Sequence, residues 1–292
     1  MSFATPAPGT LIAFQGQPGA YSDLACRHVF PGHQTLPCAS FEDAFAAVHE
    51  SQAALAMLPI ENSVAGRVAD IHHLMPNGGL HIVGEHYLRV NHHLLALPGV
   101  GLEELRTVRS HIQALSQCRE NLRRLGIKPV THADTAGAAA EIARLGDRSV
   151  AAIASSLAGE IYGLDSLFAG IEDHAHNTTR FLIMAREPRI PPRGSGTVIT
   201  SFVFRVRSVP AALYKALGGF ATNSVNLTKL ESYMLGGRFT AVQFYADAEG
   251  HPEDRSLRLA LEELDFFAQE VRILGVYPAH PFRRDESQVG ED

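Results

Sequence analysis

Arg186-Glu187-Pro188-Arg189-Ile190-Pro191-Pro192-Arg193-Gly194-Ser195-Gly196-Thr197 divides the chain. Prolines 188, 191 and 192 remove backbone donors, and glycines 194 and 196 add conformational freedom, so neither a helix nor a strand continues through the stretch. A linker over 187–197 is expected. Before it, from Thr10 to Ala185, short apolar runs alternate with helical patterns. Leu11 to Phe14, Gln34 to Cys38 and Ala53 to Leu58 read as strands, with helices over Ala20 to Phe30, Phe41 to Glu50 and near Gly66 to Met75. Two extended runs around Ile82 to Leu97, a second strand-helix series from Arg106 to Gly170 and a returning strand at Arg180 to Ala185 complete an α/β pattern on a largely parallel sheet. After the linker the order changes to strand (Val198 to Val206), helix (Pro210 to Phe220), strand (Val225 to Ser232), strand (Arg238 to Ala246), helix (Pro252 to Phe267) and strand (Val271 to Val276). That βαββαβ order makes a small ferredoxin-like module. The expected organisation is an α/β domain over 10–186, the linker, the module over 198–278 and a tail over 279–292.

The bulk numbers fit two folded domains. The chain has 292 residues, 46% of them hydrophobic and 19% charged, and each domain is long enough for its own core. A formal charge of -6 argues against nucleic acid, whose phosphates call for a basic surface. Cys26, Cys38 and Cys118 are scattered without a C-x-x-C pair, which suggests neither a disulfide framework nor a zinc site. The start lacks a signal-like apolar run and no run has membrane-span length, so no membrane partner and a cytoplasmic location are expected.

Four polar clusters break the apolar pattern. Phe14-Gln15-Gly16-Gln17-Pro18-Gly19-Ala20-Tyr21-Ser22 lies between a strand and a helix, where free N–H groups and the Ser22 hydroxyl suit a carboxylate or phosphate; it lacks the P-loop lysine and the G-x-G-x-x-G spacing. The bland alternative is a plain strand-to-helix turn. Leu58-Pro59-Ile60-Glu61-Asn62-Ser63 puts an abrupt polar group at the carboxyl end of a strand, the edge that faces the ligand crevice in a parallel sheet. A helix cap before Gly66 would account for Asn62 and Ser63 equally well. Ser110 with Gln113 has the form of a capping box, and Gln117 shares the Gln113 face one turn on. Asn177-Thr178-Thr179-Arg180-Phe181 sets two hydroxyls and a guanidinium before an apolar strand; an anion or a structural salt bridge would satisfy Arg180. The histidines, including His72-His73, His92-His93 and Asp173-His174-Ala175-His176, show no metal-ligand spacing and read as surface or satisfied side chains, so no metal is expected.

The order of these clusters, G-x-P-G-A-Y-S, P-I-E-N-S, S-H-x-Q-x-x-x-Q-C and N-T-T-R-F, resembles the prephenate dehydratase family, and the resemblance runs from Leu11 to about Tyr277. It implies a catalytic half of two α/β lobes similar to type 2 periplasmic binding proteins, with a cleft between them. It also implies the decarboxylating dehydration of prephenate to phenylpyruvate without a cofactor. Thr179, by motif match, is then the catalytic residue. Ser22, Glu61, Asn62, Ser63, Ser110, Gln113, Gln117, Thr178, Arg180 and Phe181 are the expected substrate-binding residues. Ser201 to Tyr277, with Asn226-Leu227-Thr228-Lys229-Leu230-Glu231-Ser232, looks like the family's regulatory ACT domain. The resemblance makes L-phenylalanine the expected effector, held by Ala211, Ala212, Leu213, Asn226, Leu227, Thr228, Glu231 and Ser232 in a homodimer or homotetramer. This sequence departs from the family motifs there: Ala211 stands at the first glycine, and Tyr233-Met234 at an Arg-Pro pair. Arogenate dehydratase, a non-catalytic amino-acid sensor and a histidine-based metal hydrolase are the competing readings; fold alone separates none of them.

Overall fold

The structure is a computed structural model describing residues 9–174, 176–207, 209–235 and 238–284, apart from side chains 235 and 238–241. In chain order the elements are β1 (Leu11–Gln15), α1 (Tyr21–Val29), β2 (Gln34–Cys38), α2 (Phe41–His49), β3 (Leu55–Asn62), β4 (Gly66–Arg67), α3 (Ala69–Leu74), β5 (His81–Arg89) and β6 (His93–Ala96). They continue with β7 (Thr107–Ser110), α4 (Ile112–Gln117), α5 (Arg119–Leu125), β8 (Lys128–Thr131), α6 (Thr135–Leu145), β9 (Val150–Ala154), α7 (Ser156–Tyr162), β10 (Asp165–Ala169) and β11 (Thr178–Ala185). The C-terminal part holds β12 (Val198–Val206), α8 (Ala212–Thr222), β13 (Leu227–Leu235), β14 (Arg238–Glu249), α9 (Arg255–Phe267) and β15 (Ala268–Pro278). The described residues group into two compact units, one of 9–68 with 87–181 and the other of 69–86 with 182–284. Residues 69–86 and 182–185, expected with the N-terminal domain, therefore group with the C-terminal module.

The first unit carries two sheets. In one, β1 pairs in parallel with both β2 and β3, and Ile12, Ala13 and Phe14 are fully buried. The other has the order β10-β6-β9-β7-β8. Here β7 runs parallel to β8 and β9, while β6 is inserted against both β9 and β10. Every residue of β9 is buried, because its two faces enter different cores. Ala151 and Ile153 pack with Val108, Leu115 and Leu122 on one side; Val150, Ala152 and Ala154 pack with Ala139, Ile142 and Ala158 on the other. The period of two in a strand buried on both faces explains its unbroken apolar sequence.

The C-terminal module has the expected βαββαβ order. Its strands run β13-β14-β12-β15, antiparallel throughout, and α8 and α9 cover one face. Phe202 and Phe204 of β12 point into that helix-covered core, where Phe202 stacks on Phe220 at 5.7 Å. Ser201 points the other way, into a buried polar knot: its hydroxyl donates to Asp247 (2.5 Å) and bonds the Tyr277 hydroxyl (2.7 Å). Arg283 closes the knot with two bonds to Glu85 (2.7 and 2.9 Å), one to Asp247 (3.3 Å) and one to Thr228 (3.0 Å). Residues 279–284, expected to start a tail, are thus tied down and include a 3-10 turn at Pro281–Arg284; the rest of the tail lies outside the described residues.

Two further sequence expectations are corrected. The strand expected to stop at Leu58 runs on to Asn62, so Pro59-Ile60-Glu61-Asn62 is strand rather than helix cap, and the helix expected near Gly66 begins at Ala69. Proline at position 59 does not end it, since only one ladder donor is lost there. The N-cap of α4 is His111, whose Nδ1 accepts the Gln113 N–H at 3.4 Å; Ser110 belongs to β7 and does not cap.

Candidate active site

A cavity of ≈ 340 Å³ opens in the first unit, at the start of α1, the ends of β3 and β7 and the start of β11. It is of small-ligand size. Strand alternation decides which side chains reach it. On β11, Thr179 and Phe181 line the cavity, whereas Arg180 points away and pairs with Glu61 at 2.9 Å. Asn62 on β3 lines it too, one residue beyond Glu61. Ser22, Gln113 and Gln117 also contribute to the wall. Outside the lining stand Glu61, Ser63, Ser110, Thr178 and Arg180. Ser63 zips β3 to β11, its hydroxyl donating to the His176 carbonyl (2.8 Å) and accepting the Thr178 N–H (2.9 Å). Ser110 is fully buried and donates to the Ile153 carbonyl at 2.6 Å.

The Gly16 to Ser22 loop is shaped by contact with α7. Gly19 has φ +87°, and a Cβ there would lie 2.7 Å from the Ala158 Cα. Ser155 donates to the Gly19 carbonyl (2.5 Å) and Tyr162 to that of Pro18 (2.8 Å). Only glycine fits this φ and this approach. At the head of α1, buried Asp23 accepts the Gly19 N–H at 2.9 Å.

The cavity wall holds a continuous hydrogen-bond ladder whose polarity follows from one end. The backbone N–H groups of Val64 and Ala65 donate to Asn62 Oδ1 (3.0 and 2.8 Å), and a backbone N–H can only donate. Asn62 Nδ2 is therefore the donating atom, to Asn177 Oδ1 at 2.7 Å and to Thr179 Oγ1 at 2.9 Å. Asn177 Nδ2 in turn donates to Gln117 Oε1 at 2.9 Å, and His92 Nε2 stands 2.8 Å from that same oxygen. His92 Nδ1 lies 2.7 Å from the Tyr21 hydroxyl, which also reaches the Asn91 carbonyl at 3.0 Å. Thr179 Oγ1 accepts from Asn62 and makes no other hydrogen bond among the described residues, so its proton remains to be given.

The electrostatics keep the His92 and Tyr21 end of the ladder neutral. Burial pushes the His92 pKa down; the Gln117 hydrogen bond and Glu172, whose carboxylate accepts the His92 backbone N–H at 2.8 Å, only partly oppose it. Burial, with added repulsion from Cys118 and Glu172, holds the Tyr21 hydroxyl well above its ordinary value. The Cys118 thiol is likewise pushed up by burial, which makes it an inert neighbour.

Sequence reasoning left out His92, Tyr21 and Asn177 as site residues. For His92 a signal existed: Val90, His92 and Leu94 are buried while Asn91 between them is exposed, a period of two that aims the imidazole inward. The expected effector residues lie at the head of α8 (211–213) and along 226–232 on and before β13. Ala211 caps α8 in a left-handed conformation, φ 61°.

A polar-walled cavity with a directed hydroxyl thus lies in an α/β unit of a chain that continues into a βαββαβ module. Residues 12–189 match the family model PDT: Prephenate dehydratase. Over 275 residues the chain is 55% identical to the bifunctional N-acyl-homoserine lactone acylase/prephenate dehydratase of Komagataeibacter europaeus, covering 94% of this chain and 98% of that one. Arogenate dehydratase/prephenate dehydratase 1 of Arabidopsis thaliana is 44% identical over 281 residues, covering 91% and 71%. Among solved structures, the prephenate dehydratase of Arthrobacter aurescens in complex with L-Phe superimposes with TM-score 0.84 at 30% identity, over 92% of this chain and 90% of that one. The chain belongs to the prephenate dehydratase family. It is a lyase of aromatic amino-acid biosynthesis that couples dehydration to decarboxylation.

Proposed function

We propose that the chain converts prephenate to phenylpyruvate and that L-phenylalanine regulates it through the C-terminal module, an ACT domain. The observation that carries the catalytic part is the Thr179 hydroxyl, which accepts from Asn62 and so has its proton left for a ligand in the cavity. In prephenate the departing hydroxyl and the departing carboxylate sit across one ring. As the C–O bond breaks, its electron pair leaves on oxygen, which Thr179 steadies by hydrogen bonding. The electrons of the C–carboxylate bond enter the ring, carbon dioxide departs, and one proton is consumed as the oxygen leaves as water. Aromatisation drives the step, so the protein has to orient a dianion and stabilise the leaving oxygen. Threonine is a poor bulk acid and acts here as a fixed donor in a small cavity. Asn62 and Gln117 hold the ligand, and the first turn of α1 at Tyr21 and Ser22 favours its negative charge.

Regulation is supported by the Arthrobacter aurescens relative, solved with L-Phe, and by the βαββαβ order. Any inhibition requires L-phenylalanine to favour one arrangement of the chain over another. The identity to the Komagataeibacter europaeus enzyme favours a second reading, hydrolysis of N-acyl-homoserine lactones, alongside the elimination. The plant relatives favour arogenate as an alternative substrate. Purified chain incubated in parallel with prephenate, arogenate and an N-acyl-homoserine lactone separates these readings. Phenylpyruvate from prephenate, falling when L-phenylalanine is added, is the expected result; phenylalanine from arogenate with no turnover of prephenate would overturn the substrate assignment.

A further inference from the structure

We infer that His92 is a positioning residue that makes Gln117 present its amide nitrogen, not its oxygen, to the ligand. Orientation passes from residue to residue along the ladder. Asn62 is oriented by two backbone N–H groups, Asn62 orients Asn177, and Asn177 delivers an N–H to Gln117 Oε1. That oxygen lies 2.8 Å from His92 Nε2. An oxygen cannot donate, so the imidazole must carry its proton on Nε2. The other ring nitrogen, Nδ1, is then a bare acceptor and takes the single Tyr21 hydroxyl proton over the shorter contact, 2.7 Å, in preference to the Asn91 carbonyl 3.0 Å from the same hydroxyl. With Gln117 Oε1 engaged twice, the Gln117 amide nitrogen makes no hydrogen bond among the described residues while the side chain lines the cavity. Two N–H donors are left for an anionic ligand. The opposite tautomer, with the proton on Nδ1, would ask Gln117 to donate to Nε2, turning an oxygen toward a dianion and leaving Asn177 Nδ2 facing a donor.

The groups facing His92 allow the neutral Nε2–H ring. Tyr21 approaches from α1 and Gln117 from α4; Glu172 reaches its backbone and His93 follows it in sequence. Burial disfavours the imidazolium, and it outweighs the opposing pull of Glu172.

Two measurements test the inference, and only the kinetic one rests on the proposed elimination. In the ¹⁵N-labelled chain at pH 7.5, long-range ¹H–¹⁵N spectra should contain one neutral histidine protonated on Nε2 that disappears in His92→Gln. A ring protonated on Nδ1, or on both nitrogens, would overturn the inference whatever the substrate. For prephenate turnover, His92→Leu should lower kcat/KM about 10-fold or more, largely through KM, the size of one lost hydrogen bond to a charged ligand. His92→Gln, which retains an N–H near Nε2, should recover most of that loss. Equal losses in the two variants, with the fold intact, would mean that His92 only fills space. Absence of prephenate turnover in the unsubstituted chain would sink the proposed function and leave the spectroscopic result standing.

Discussion

The first unit links buried His92, Asn177 and Thr179 with half-buried Asn62 and Gln117 in a neutral polar ladder that ends on donors no group among the described residues uses. In the second unit the corresponding network is built on charge: Glu85 and Asp247 are fully buried and Arg283 binds both. There, Ser201, Tyr277, Tyr245 and Thr228 meet further bonding needs of the knot. Charges taken out of water demand partners inside the protein, so an ionic network closes on itself. Neutral amides cost less to bury, and a ladder of them can keep an open end for a ligand. The first network is therefore suited to chemistry and the second to holding elements together.

The largest effect should come from opening the closed network. Arg283→Met removes the guanidinium bound to buried Glu85 and Asp247 and should destabilise the second unit by about 3–5 kcal/mol, read as a lowered denaturation midpoint. A shift under ~1 kcal/mol would mean that water replaces the guanidinium. A smaller effect is expected from pH. The His92 pKa is lowered on folding, so the unfolded chain binds the proton first as pH falls below about 6.5. This contribution to stability is full above that value and is lost as pH falls toward the folded pKa. His93 and His280, also lowered by burial, act with the same sign. Thermal midpoints followed from pH 7.5 to 5.5 should fall in the unsubstituted chain and fall less in His92→Gln; identical slopes would contradict the burial argument. The smallest expected change is a gain. Ala211 holds φ 61°, a left-handed conformation that costs an alanine about 1 kcal/mol relative to glycine, so Ala211→Gly should raise stability by roughly that amount or less. Loss of stability would show that the unfolded-state entropy of glycine wins.

The same contrast explains what could be read from the sequence. The βαββαβ order was legible because period and punctuation are local, whereas residues 187–197, read as a linker between domains, lie inside the second unit. The Gly16 to Ser22 loop, Asn62, Gln113, Gln117, Thr179 and Phe181 were legible as motifs, and the cavity brings these stretches together. Ser110, Glu61, Ser63, Thr178 and Arg180 belong to the same motifs but stand outside its lining, since strand alternation turns a neighbour away and motif matching does not track faces. His92 was passed over because a paired histidine looked superficial, although Val90 and Leu94 flank it at the inward period. Arg283 lay in what read as a tail. Its partners Glu85 and Asp247 are 198 and 36 residues away, and no local pattern announces such a pair.

The central claim is that the ladder leaves the Thr179 proton for the departing oxygen. Turnover of prephenate by Thr179→Val and Thr179→Ser, measured against the unsubstituted chain with denaturation midpoints alongside, tests it most directly. Thr179→Val should lose about 10²-fold or more in kcat while remaining folded, and Thr179→Ser, which keeps the hydroxyl, should retain most of it. Valine turning over as fast as threonine would contradict the account.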